Sequence, residues 1–152
     1  MATAHDVAKY FLLIAAADED SEGLTHLKLQ KLLYYAQGFH LALFGCRLFP
    51  DMIEAWDHGP VILSVWQVFR QHGSMPLPVP PIGTSVSLSA EQRDLLNDVW
   101  NTYGQFSAWK LRNMTHEEAP WKETPYRNVP ITDEALQRYF QTQVTNDRPD
   151  HG

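Results

Sequence analysis

Thr25-His26-Leu27-Lys28-Leu29-Gln30-Lys31-Leu32-Leu33-Tyr34-Tyr35-Ala36-Gln37-Gly38-Phe39-His40-Leu41-Ala42-Leu43-Phe44-Gly45 is the stretch that decides the fold. Thr25 supplies a helix N-cap and Gly45 a residue suited to the left-handed position after the last turn. At 100° per residue, Leu29, Leu32, Leu33, Ala36, His40 and Leu43 fall in one narrow sector. Tyr34, Tyr35, Phe39, Leu41 and Ala42 occupy the flanks and back, so the helix is apolar nearly all round. Such a helix belongs in the middle of a bundle. Its polar members, Lys28, Gln30, Lys31, Gln37 and His40, then need partners or a cavity, because burying them unpaired is costly.

The rest of the chain supplies the elements to surround it. Val7, Tyr10, Phe11 and Ile14 follow the i, i+3, i+4, i+7 spacing of one helical face, which predicts a helix over residues 6–17. The acidic run Asp18-Glu19-Asp20-Ser21-Glu22-Gly23 reads as a solvated loop. Beyond Gly45, two short apolar segments around Pro50-Asp51 predict a small β-hairpin near 47–56. Pro60 suits the first turn of a third helix with Ile62, Val65, Trp66 and Phe69 facing inward. Pro76, Pro78, Pro80 and Pro81 force an extended surface connection, and Val86 and Leu88 predict one edge strand. Ser89 with Gln92 forms a capping box ahead of the stripe Leu95, Leu96, Val99, Trp100 and Tyr103. Ser107 caps a short helix ending near Met114, and Thr132 starts a last helix packing through Ala135, Leu136, Tyr139 and Phe140. The expectation is a mainly α single-domain bundle over residues 1–144, built around helix 25–44, with a polar C-terminal tail over 145–152.

Composition narrows the function. At 152 residues the chain has the size of one domain. Its charge of 12 − 18 = −6 argues against sequence-independent nucleic-acid binding, which needs Lys and Arg to neutralise phosphates. The single Cys46 forbids an internal disulfide and a cysteine-based zinc cluster. The apolar run Phe11–Ala17 is too short for a membrane span and fits an amphipathic helix better than a signal peptide, so the expected compartment is the cytoplasm.

Catalytic signatures are absent. His116-Glu117-Glu118 begins like the HExxH zinc helix, but Pro120 replaces the second histidine, so no metal site is expected. There is no GxSxG elbow, SxxK pair, P-loop or GxGxxG, and no cofactor is expected. Lys110, Arg112 and Asn113 are candidate base-reading residues on helix 107–115, but Glu117 and Glu118 follow at once, which leaves the patch weak. Polar and aromatic residues instead bunch in three places: Lys28, Lys31 and Tyr35; Trp56-Asp57-His58-Gly59-Pro60-Val61; and Thr115-His116-Glu117-Glu118-Ala119-Pro120-Trp121.

These places carry a resemblance. Leu27–Gly38 resembles the signature helix of the SocA-like, or Panacea, domain family. Leu48-Phe49, Ile53-Glu54-Ala55-Trp56 and His58-Gly59-Pro60-Val61 look like its second block, and Leu111, Thr115-His116 and Pro120-Trp121 its third. The match runs from residue 7 to about 121. The resemblance implies a non-enzymatic antitoxin that neutralises a cognate toxin by direct binding, in one described type as an adaptor to the ClpXP protease. The acidic charge adds the expectation of a basic toxin. Carried over by motif, the candidate partner-binding or motif residues are Lys28, Lys31, Tyr35, Trp56, His58, Gly59, Pro60, Thr115, His116 and Trp121, with Gly59-Pro60 as a turn, Trp56 and Trp121 as interface anchors or core, and Lys31, Thr115 and His116 as a polar network of structural or functional use. Two rival readings stand beside it: a small-ligand protein or enzyme with Lys31, His58 and His116 in one pocket, and a phage accessory protein.

Overall fold

In a computed structural model describing residues 1–147, the helix at the centre of the bundle is α2, His26–Phe44, buried on every side from Leu29 through Leu41. Around it pack α1 (Ala4–Ala17), α3 (Leu63–Phe69), α4 (Ala90–Tyr103), α5 (Ala108–Glu117) and α7 (Asp133–Asp147). The closest approach is to α7. A methyl group added at Gly38 would sit 2.1 Å from the Phe140 ring, so the missing side chain is what lets the two helices meet. Both expected caps of α2 are present: Thr25 Oγ1 accepts from Lys28 N at 3.4 Å, and Gly45 stands at φ 73°. Leu43 departs from the expected inner sector and is exposed, as is Phe44 beside it, because α2 overruns the bundle in its last turn.

The buried polar groups of α2 organise the chain that follows. Gln37 accepts from Leu48 N and Phe49 N and donates to Phe49 O, pinning an irregular segment flat on the helix. Gln30 treats Ile62 the same way, accepting from its N at 2.8 Å and donating to its O at 3.2 Å. His40 donates through Nδ1 to Cys46 O. Each side-chain amide thus takes the place of a neighbouring strand.

The small sheet differs in position from the sequence reading. Strands β1 (Ile53–Trp56) and β2 (Gly59–Ile62) form an antiparallel hairpin, and β3 (Val129–Pro130) adds to the other side of β1 in the order β2-β1-β3. The turn is Asp57-His58, not Pro50-Asp51. Leu48 and Phe49 are already held by Gln37, and the Asp51 carboxylate is occupied by Ala4 N and Ser64 Oγ. Pro60 likewise lies in the edge strand β2, opposite Ala55, where its missing N–H does no harm, and α3 starts three residues later at Leu63.

No strand forms at Val86 and Leu88. Leu88 N bonds locally to Val86 O, and the segment runs irregularly into the Ser89–Gln92 capping box of α4. The helix capped by Ser107 continues past Met114 to Glu117, and a one-turn helix α6 (Ala119–Lys122), with Pro120 in its first turn, follows directly. The expected tail over 145–152 begins within the last turn of α7, and beyond Asp147 it lies outside the described residues.

Candidate functional site

The three motif blocks converge on one end of α2, and their residues sort by depth. In the interior, Lys31 has no exposed surface and its Nζ donates to Pro60 O at 3.0 Å. Gly59 lies directly over it at φ +109°, and a Cβ there would sit 2.8 Å from Thr115 Oγ1 and 2.9 Å from Lys31 Cε. Thr115 Oγ1 itself donates to Arg112 O at 2.8 Å. Glycine at 59 therefore serves two ends: it takes a conformation that L side chains avoid, and it leaves room for the lysine and threonine beneath. Burial, and secondarily the Arg112 charge, pull the Lys31 ammonium down to a pKa of about 7.

Beside this contact lies a carboxylate that the sequence reading placed in a motif without giving it a role. Glu118, between α5 and α6, accepts from Tyr34 Oη and Tyr35 Oη at 2.8 Å each and also hydrogen-bonds Tyr139. Burial raises its pKa to about 7, against the three phenols, which favour the anion. Tyr35 stacks flat on Tyr103 at 3.9 Å, completing an aromatic layer with Tyr34 and Phe140. Tyr35, one of the candidate residues, is fully buried.

Toward the surface stand Trp56, His58, His116 and Trp121. Trp121 Nε1 donates to Trp56 O at 2.7 Å, tying α6 to the hairpin, and its ring stacks on His116 at 4.1 Å. His116 Nε2 is buried without a hydrogen-bond partner among the described residues. Burial first, then Arg112, lowers the His116 pKa, while the Asp57 backbone acts in the other direction. His58 is exposed in the turn and accepts through Nδ1 from Arg112 Nε at 3.2 Å. The Trp56 ring meets Trp66 edge-on at 5.2 Å.

A cavity of about 320 Å³ opens between Trp56, Trp66, Val61, His58 and the start of α2. Neither Lys31 nor His116 lines it. Its inner wall carries His26, whose Nε2 lies 3.0 Å from Gln30 Nε2. Since the Gln30 oxygen is already taken by Ile62 N, its amide donates here and His26 must be the acceptor. Burial, its largest cause, lowers the His26 pKa to about 4, in keeping with a neutral ring.

Lys28 stands apart from the other candidates. It donates to Gly104 O at 2.6 Å and lies over Trp100, lining a separate 640 Å³ groove with the acidic loop 18–22. Sequence reasoning gave no role to Glu118 and weighed Arg112 only as a reader of bases. The signal for Glu118 was its position inside the third block.

Residues 29–122 match the family described as antitoxin SocA-like, Panacea domain. The chain belongs to this family. The matched span starts inside α2 and ends with α6, so it takes in Lys31, the hairpin, Glu118 and Trp121. Membership gives the chain a toxin–antitoxin-related role and points to a regulatory protein. No curated protein and no solved structure matches the chain. No helix among the described residues is long and apolar enough to cross a membrane.

Proposed function

We propose that this chain is an antitoxin that neutralises a toxin encoded beside it by binding that toxin directly. The observation that carries the reading is the family match over residues 29–122, which takes in the second and third motif blocks and the first from Leu29 onward. The depth sorting supports it further. Lys31, Tyr35, Gly59, Pro60 and Thr115 serve as an internal latch, while Trp56, His58 and Trp121 reach the surface that the latch shapes. A rigid platform with tryptophans at its rim suits protein recognition, in which Trp, Tyr and Arg supply most of the binding energy.

The net charge of −6 favours encounter with a basic toxin through long-range steering. Delivery of the bound toxin to ClpXP is the finer mechanism the family suggests. A Lys31–His58–His116 pocket has less support, because Lys31 is sealed beneath Gly59 and spends its ammonium on Pro60 O.

Co-expression with each neighbouring reading frame is the test. One frame is expected to arrest growth alone and to be tolerated when this chain is present. If no frame is both toxic and rescued, the antitoxin reading fails. Toxin half-life measured with and without ClpXP then separates the mechanisms: shortened half-life with both components marks an adaptor, and unchanged turnover marks occlusion.

A further inference from the structure

The surface around the Asp57-His58 turn gathers arginines in a chain that is acidic overall. Three arginines stand over tryptophan rings there: Arg70 over Trp66 at 5.0 Å, Arg112 over Trp109 at 4.4 Å and Arg127 over Trp121 at 4.0 Å. The pairs are contiguous. Trp66 touches Trp56, Trp121 bonds the Trp56 backbone, and Arg112 bonds His58. None of the three guanidinium groups pairs with a carboxylate among the described residues. In a chain with 18 Asp and Glu against 12 Lys and Arg, three neighbouring arginines without acidic partners leave unanswered positive charge on this face. Stacking restricts each side chain in advance, so less freedom is lost when a carboxylate binds its edge.

We propose that this face is where the toxin docks, and that it receives an acidic segment of that protein with one large apolar side chain seated in the cavity between Trp56 and Trp66. The proposal rests on the antitoxin reading and names the contact surface for it. The 320 Å³ cavity is apolar where Trp56, Trp66 and Val61 line it, and two of its lining residues, Trp66 and His58, are the ones that Arg70 and Arg112 contact. A phosphate backbone suits the face less well, because Glu54 and the exposed Asp57 lie on it and would repel an evenly charged polyanion. A folded protein can answer those two carboxylates with a single basic residue. Steering by the overall negative charge and docking on an arginine face are compatible, since the first acts at range and the second at contact.

The test uses the purified product of the neighbouring reading frame that this chain rescues, titrated against the full chain and against variants whose thermal melting matches wild type. Arg70→Glu together with Arg112→Glu is expected to weaken binding at least tenfold, whereas Arg93→Glu on α4 leaves it within twofold. Trp66→Ala is expected to weaken binding comparably. Raising NaCl from 50 to 300 mM should weaken the wild-type complex several-fold. Full binding by the arginine reversals, with loss on Asp20→Lys and Glu22→Lys in the groove beside Lys28, overturns the proposal and leaves the antitoxin reading intact. So does a labelled single-stranded RNA bound by wild type and released by the reversals while toxin binding is unchanged. If the wild-type chain binds no rescued product, the antitoxin reading falls and the face falls with it.

Discussion

Lys31 Nζ donates to the backbone oxygen of Pro60 at 3.0 Å from a side chain with no exposed surface, tying the N-terminal part of α2 to the edge strand of the hairpin. The link passes beneath Gly59 and beside Thr115, so it joins residues from all three sequence blocks in one contact. The spacing of the blocks is therefore a statement about packing. Residues 28–31, 56–61 and 115–121 are fixed relative to one another because an ammonium group must find its one carbonyl.

Lys31 makes stability depend on alkaline pH. Its folded pKa of about 7 lies below the roughly 10.4 of an unfolded lysine, so the unfolded chain binds more protons between these values. The penalty for the buried charge is fully present below pH 7 and is relieved as pH rises. Wild type should gain roughly 1.5 kcal/mol relative to Lys31→Met between pH 7 and 8.5, read from urea unfolding at the two pH values. Equal pH slopes for the two proteins would mean that Lys31 does not titrate there.

Gly59→Ala tests the latch from the other side. The new methyl group meets Thr115 Oγ1 and Lys31 Cε at under 3 Å and must adopt φ +109°. A loss of roughly 2–4 kcal/mol is expected. Gly45→Ala is the comparison, since Gly45 also has positive φ (73°) but has no atom within 4 Å of the added carbon. It should lose only about 1 kcal/mol. Similar losses at both positions, measured by thermal unfolding, would reduce the role of Gly59 to backbone conformation alone.

Glu118 has the opposite sign to Lys31 and a different window. Burial raises its folded pKa to about 7, so the neutral acid is favoured in the fold, and stability falls as pH rises from about 4.5 to 7 and is then flat. Glu118→Gln removes this titration and keeps the size of the side chain between Tyr34 and Tyr35. Over that window the variant should gain roughly 2–3 kcal/mol relative to wild type. A constant difference across it would show the carboxylate ionised throughout.

How much of this was legible in the sequence depended on the range of each interaction. The caps of α2 and the Ser89–Gln92 box are local signals within a few residues, and the structure has them as read. The all-round apolar pattern of α2 foretold its burial, although the exposed Leu43 shows that the pattern does not say where a helix leaves the bundle. The hairpin was misplaced because what displaces it, the grip of Gln37 on Leu48 and Phe49 and of Gln30 on Ile62, is made by side chains 11 to 32 residues away. Glu118 escaped for the same reason, since Tyr34 and Tyr35 lie more than 80 positions earlier. Arg112 was visible as a cation and its place over Trp109 is a local i, i+3 contact within α5, but its bond to His58 exists only after α5 meets the hairpin turn.

Direct binding is most sharply tested by mixing this chain with the purified toxin identified by growth rescue and resolving the mixture by size-exclusion chromatography with light scattering. A stoichiometric complex that forms without ClpXP and abolishes toxin activity in vitro is the predicted result. Rescue in cells with no complex between the purified proteins, and undiminished toxin activity when they are mixed, would contradict it.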